Sequence, residues 1–200
     1  MGKRLVRGKT KHNLCYQRNN RKIQIAIITL INTHRRHITL KQIVKKAKIS
    51  KRTLYIHYPD MSHISGTIEN ELIEGYTEEL ENQAGALSKV IPDNNKRVFY
   101  IMMLYMAQNK ELFVPVCTDR ANYSILYRMS EITYPQLSII WFPLSSPAPT
   151  IGSDRADMYI SMCTEILCKW GYKTNCDINK SGKYLNRLLR LTDEASARCK

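Results

Sequence analysis

The sequence predicts an all-α protein, with a three-helix helix-turn-helix head at the N-terminus and a C-terminal helical bundle, about nine helices in all. Apolar residues recur every three or four positions in successive segments. Helix-capping residues stand directly before several of these segments, and stretches rich in proline or glycine separate others. We divide the 200-residue chain into a flexible basic arm (1–17), a helix-turn-helix domain (18–60) and a larger helical domain (61–200).

Positive charge is concentrated at the N-terminal end. Residues 1–59 contain 16 Lys or Arg and no Asp or Glu, whereas the rest of the chain contains 15 basic and 17 acidic residues. Such a segment attracts phosphate, either of nucleic acid or of an anionic membrane surface. No apolar run approaches the roughly 20 residues needed to cross a bilayer. We therefore expect no membrane insertion. The charge does not distinguish nucleic acid from a membrane surface, so the pattern of helices has to decide between them.

The cysteines indicate a reduced, cytosolic protein. None forms a C-x-x-C pair, and no apolar signal-peptide core occurs at the N-terminus. We expect Cys163 and Cys168 to be small buried hydrophobes, while Cys176 and Cys199 lie in polar sequence surroundings and are the better candidates for an exposed thiol. The six cysteines are Cys15, Cys117, Cys163, Cys168, Cys176 and Cys199.

The first three helices have clear start and stop signals. A helix over about 18–34 has its apolar stripe at Ile23, Ile27, Leu30 and Ile31. Thr39 followed by Gln42 is a capping box that starts a short second helix. After a three-residue linker, Ser50 can cap a third helix, which Pro59 ends. Two short helices joined by such a turn predict a helix-turn-helix.

The apolar spacing in the remaining two-thirds of the chain predicts a helical bundle. Asp60 can cap a long fourth helix with apolar residues at Ile64, Ile68, Leu72, Tyr76 and Leu80. Two or three further helices follow, and then a loop over 142–154. We predict a helix over about 155–170 that ends at Gly171 as its C′ residue, and a last helix over 181–191.

Residues 38–64 carry a specific pattern, formed by Ile38-Thr39, Leu40, Ile43-Val44, Ala47, Ser50 and Leu54-Tyr55-Ile56-His57-Tyr58. This pattern resembles the DNA-binding head of the TetR family of bacterial helix-turn-helix transcriptional regulators. The resemblance covers about a quarter of the chain. Lys48 stands where the family's turn usually has glycine, and Met61 replaces a lysine that usually binds phosphate.

Such a head places its third helix in the major groove of double-stranded DNA, since that groove presents a distinct pattern for each base pair. Arg52 can hydrogen-bond to guanine, and Ile56 can contact a thymine methyl. The resemblance implies that Tyr55 binds a phosphate. Tyr58 and Leu54 are expected to point inward. The candidate DNA-binding residues are Thr39, Lys41, Ser50, Lys51, Arg52, Thr53, Tyr55, Ile56, His57 and Tyr58.

The resemblance also implies a ligand-responsive repressor that acts as a homodimer on a palindromic operator, with residues 61–200 sensing the ligand and forming the dimer. The dimer candidates, on the last two helices, are Ile160, Ile166, Leu167, Leu185 and Leu188. A small apolar effector is the candidate ligand, although ordinary core packing explains the pocket candidates at least as well. Those candidates are Tyr100, Met103, Phe113, Tyr123 and Tyr127.

Other function classes have less support in the sequence. No G-x-S-x-G, H-E-x-x-H or phosphate-binding glycine loop occurs, so we expect no enzyme and no cofactor. His34 and His37 lack a third ligand at a suitable spacing, so we expect no metal site. The alternative is a basic adaptor or co-activator that works through protein partners or non-specific polyanion binding. It leaves the capped helix-turn-helix unexplained.

Overall fold

The structure, a computed structural model, describes residues 14–33, 38–59, 64–118, 124–137 and 154–197. Those residues form nine α-helices, with two short 3-10 helices and no strand, which confirms the all-α prediction. The chain divides into two compact units, Met1–Ile68 and Glu69–Lys200. The helices are α1 (Leu14–Thr33), α2 (Leu40–Ala47), α3 (Lys51–His57), α4 (Ile64–Leu87), α5 (Asn94–Gln108), α6 (Lys110–Thr118), α7 (Ser124–Thr133), α8 (Asp154–Thr174) and α9 (Gly182–Ala197).

In the N-terminal unit, α1 packs against both α2 and α3. The contact buries the predicted stripe of α1 at Ile23, Ile27 and Leu30, together with Leu54 of α3. Helix α1 begins at Leu14, four residues before the predicted start. The arm predicted over 1–17 therefore includes the first helical residues, and its remainder, 1–13, lies outside the described residues.

Helix α2 has both halves of the predicted capping box. The Gln42 N–H donates to Thr39 Oγ1 at 3.4 Å, and the Thr39 N–H donates to Gln42 Oε1 at 2.8 Å. At the other end of α2, Lys48 has φ 53° and ψ 48°, and its N–H donates to Val44 O. A lysine thus holds the left-handed conformation in which glycine carries no steric penalty.

We expect Lys48→Gly to raise the free energy of unfolding of the N-terminal unit by about 0.5–1 kcal/mol. The left-handed conformation costs a residue with a side chain roughly 1–2 kcal/mol, and the greater freedom of glycine in the unfolded chain offsets part of the gain. Urea unfolding followed by circular dichroism measures the change. Lys46→Gly, inside the exposed face of α2, is the control and should lower stability by about 1 kcal/mol. A destabilising Lys48→Gly would contradict this account of the turn.

In the C-terminal unit, α8 packs against α6, α7 and α9, and α5 packs against α6, α7 and α9. Two buried tyrosines connect α4 to this layer. The Tyr76 hydroxyl lies 2.5 Å from Thr133 Oγ1, and the Tyr105 hydroxyl donates to Leu72 O at 2.8 Å. The predicted cap Asp60 and the predicted loop 142–154 lie outside the described residues, apart from Asp154, which starts α8.

The predicted end of the eighth helix at Gly171 is wrong. Helix α8 continues to Thr174, and the left-handed residues that follow it are Asn175 (φ 54°) and Cys176 (φ 53°). A Cβ on Gly171 would overlap with Cys117 Sγ. The glycine is therefore explained by the close approach of a neighbouring helix and not by a positive φ.

Candidate nucleic-acid interface

Helix α3 is fixed to the N-terminal unit by its cap and its buried face. The Thr53 N–H donates to Ser50 Oγ at 3.0 Å, which satisfies one of the first backbone donors of the helix. Leu54 is fully buried and Tyr58 is 2% exposed, so both point inward as predicted. Pro59 follows at the end of the helix, where its ring disfavours further helical turns.

The opposite face of α3 is open. Lys51, Arg52, Tyr55 and Ile56 are exposed, with 41% of Tyr55 and 57% of Ile56 accessible. Residues at i, i+1, i+4 and i+5 share one side of an α-helix. Lys51 Nζ lies 5.8 Å from the centre of the Tyr55 ring, within the range of a cation–π contact. This face therefore combines two cations, an aromatic hydroxyl and an aliphatic side chain.

Besides Thr39, which caps α2, four of the DNA-binding candidates have structural roles within the N-terminal unit. The hydroxyls of Ser50 and Thr53 lie 2.8 Å apart in the cap of α3. The His57 ring is half-buried and stacks on Tyr16, with the ring centres 4.0 Å apart and the planes 28° apart. Tyr58 is buried. Tyr16 was missed because it stands in the stretch predicted to be a flexible arm.

The electrostatics of α2 and its turn favour an anionic partner. Lys41, Lys45, Lys46 and Lys48 are exposed, and residues 1–59 contain no acidic side chain that could pair with them. The hydroxyl of Thr39 is 2.7 Å from Gln42 Oε1, so it is engaged in the cap of α2. A phosphate at this end of α2 would meet the backbone N–H groups of the first turn and the Lys41 ammonium.

The predicted pocket residues in the C-terminal unit have separate environments. Met103 and Phe113 are fully buried, and Phe113 packs edge-on against Tyr105 with ring centres 5.8 Å apart. Tyr100 is half-buried. The Tyr127 hydroxyl donates to Asp157 Oδ1 of α8 at 3.4 Å. Tyr123 lies outside the described residues.

The dimer candidates are all buried within their own chain, and three of them, Ile160, Leu167 and Leu188, are fully inaccessible. The outer side of the same two helices instead carries a groove of about 530 Å³, where Met158 is 55% exposed and Met162 is 43% exposed. Of the five dimer candidates, Ile166 alone lines this groove. The groove is lined by Met158, Ser161, Met162, Glu165, Ile166, Arg187, Arg190 and Leu191.

Metal sites and membrane spans are both absent from the described part of the chain. No group of three or more His, Cys, Asp or Glu side chains there is arranged to hold a metal ion, and His34 and His37 lie outside it. None of the described helices is both long enough and apolar enough to cross a membrane.

No family model, curated protein or solved structure matches this chain. The likeness to TetR heads therefore rests on the sequence of segment 38–64 alone.

Proposed function

We propose that the chain is a sequence-specific, helix-turn-helix regulator of transcription of the TetR type, which binds a palindromic DNA operator as a homodimer in the cytoplasm. Repression is the mode that the resemblance implies. A small effector would act on the C-terminal unit, and that response rests on the resemblance alone. In this proposal the chain recognises DNA and does not catalyse a reaction.

The open face of α3 carries this proposal. Its four exposed side chains are backed by buried Leu54 and Tyr58, so they are held on a short, capped helix. A helix of that kind fits the major groove, where Arg52 can bond guanine O6 and N7, and Ile56 can contact a thymine methyl. The lysines of α2 can contact the flanking phosphates, which position a protein without reading sequence.

Selection from a random duplex library, with the purified protein at about 150 mM monovalent salt, tests the function. Charge alone gives binding that depends steeply on salt and little on sequence. Recovery of a palindrome with two similar half-sites is the expected result. Binding of comparable strength to every duplex, with no enriched motif, would favour the alternative of a basic adaptor or co-activator.

The groove on α8 and α9 supports the homodimer. Its methionines are large, adaptable apolar side chains, and they are flanked by Glu165 on one helix and by Arg187 and Arg190 on the other. In a two-fold interface the same surface occurs twice, so an acidic group of one protomer can meet a basic group of its partner. A surface with both signs of charge around an apolar strip suits such pairing.

We expect Met162→Asp to convert the dimer into a monomer at micromolar concentration and to reduce operator affinity at least ten-fold. The change places a charge in the apolar strip, where it would be desolvated without a partner. Sedimentation velocity gives the oligomeric state. Val90→Asp, at an apolar residue that is 76% exposed outside the groove, is the control and should leave the dimer intact. If the wild-type chain sediments as a monomer, that result contradicts the proposed homodimer.

A further inference from the structure

Three thiols meet in the C-terminal unit. Cys117 belongs to α6, Cys168 belongs to α8, and Cys176 lies in the turn that follows α8. They are 4%, 4% and 1% exposed. The sulfurs of Cys117 and Cys176 both lie close to Gly171, and Cys168 Sγ lies 3.1 Å from the carbonyl oxygen of Cys117. Cys176 is thus buried, contrary to the prediction from its polar neighbours in the sequence.

The chain brings Cys176 to this place through an unusual backbone. Asn175 and Cys176 both have positive φ, and the Cys176 N–H donates to Gly171 O at 3.2 Å. This turn places Cys176 next to Gly171. A Cβ built on Gly171 would overlap with the sulfur of Cys117 and would lie 3.3 Å from the sulfur of Cys176. Both sulfurs therefore lie against Gly171, the position in α8 that has no side chain.

Cys168 differs from Cys176 in how the backbone holds it. Cys168 stands inside α8, and its Sγ–H donates to Cys117 O at 3.1 Å. Its position is fixed by the helix, whereas Cys176 is carried by a turn that can adjust to the geometry of a new bond. The cluster is not arranged as a metal site, because the described residues contain no group of three side chains placed to ligate a metal.

We propose that Cys117 and Cys176 are an oxidation site that closes to an intramolecular disulfide under a hydroperoxide. The peroxide oxidises the Cys176 thiol to a sulfenic acid and leaves as an alcohol or water. The Cys117 sulfur then attacks that sulfur, an S–S bond forms and water is released, so two thiols and one hydroperoxide give a disulfide, water and the reduced peroxide. The product is neutral, which suits a buried site.

The reaction is slow in the closed structure. Hydrogen bonds from Cys168 and Cys176, together with burial, hold the pKa of the Cys117 thiol well above its ordinary value. The thiolate is the nucleophile in sulfur exchange, so a raised pKa slows the attack by Cys117. Cys176 is 1% exposed, so the turn after α8 has to open before the peroxide reaches it. Once formed, the bond links α6 to the end of α8 and closes the loop between residues 117 and 176.

The test is peptide mapping by mass spectrometry after treatment of the full chain with hydrogen peroxide at low protein concentration, with and without later dithiothreitol. We expect a reducible Cys117–Cys176 link and a melting temperature raised by roughly 5–10 °C. Cys176→Ala should abolish the link. Cys168→Ala should retain it, and so should the control Cys163→Ala, at a buried cysteine of α8 outside the cluster.

Two results would overturn the assignment. One is a link between Cys117 and Cys168 in the wild-type chain. The other is oxidation of the exposed Cys15 to completion while Cys117 and Cys176 stay reduced. Both outcomes are read from the wild-type protein, so the proposal remains testable even if Cys176→Ala fails to fold. DNA binding is not needed for any of these measurements, and the proposal therefore stands or falls separately from the proposed function.

Discussion

Arg52→Ala should reduce affinity for the selected operator by roughly thirty-fold or more while leaving binding to unrelated duplexes within a few-fold. A bidentate contact from arginine to guanine contributes about 1–3 kcal/mol of discrimination, and a homodimer makes that contact in each half-site. Arg52 is exposed at the second position of α3, so its removal should not disturb the fold. Fluorescence anisotropy with the operator and with a scrambled duplex, at several salt concentrations, measures both affinities.

The matched control is Lys46→Ala, which removes one exposed cation from α2 of the same unit. A phosphate contact carries no sequence information. We therefore expect Lys46→Ala to weaken binding to all duplexes alike and to make the salt dependence shallower, by about 0.9 in the log–log slope for each phosphate that the variant leaves without its cation. If Arg52→Ala behaves like Lys46→Ala, the N-terminal unit binds polyanions without reading sequence.

The N-terminal unit could be predicted closely because its signals are local. The capping box of Thr39 and Gln42, the cap at Ser50 and the stop at Pro59 each act within four residues, and the helices begin and end there. The role of His57 could not be predicted in this way. Its contact with Tyr16 joins residues 41 positions apart, and no spacing rule links them.

The C-terminal unit shows why periodicity identifies a helix more readily than an interface. The dimer candidates Ile160, Leu167, Leu185 and Leu188 were chosen for their apolar spacing, and the chain itself covers them. The residues left exposed, Met158 and Met162, form a second apolar strip that only the packed structure separates from the first. The thiol cluster was invisible for a similar reason, since its members come from α6, α8 and the turn after α8.

Gly171→Ala should lower the free energy of unfolding by about 2–3 kcal/mol, in the range of other overpacked cores. The new methyl carbon would overlap with Cys117 Sγ and lie 3.1 Å from Cys117 Cβ. The sulfur has little room to move away, because Cys117 is 4% exposed and Cys176 Sγ lies 3.3 Å from the same methyl position. Thermal unfolding followed by tryptophan fluorescence should show a melting temperature lower by roughly 5–10 °C, and the buried Trp170 is adjacent to the change.

Gly85→Ala separates this steric effect from helix propensity. Gly85 lies in α4 with nothing within 4 Å of a Cβ, so alanine there should stabilise the chain by about 0.5–1 kcal/mol. A second comparison tests the cause directly. Adding Cys117→Ala to Gly171→Ala removes the closest atom, so the double variant should be more stable than the sum of the two single effects predicts. Strict additivity would mean that the two residues do not constrain each other, and α6 and α8 would then have to approach less closely at Gly171 than the structure shows.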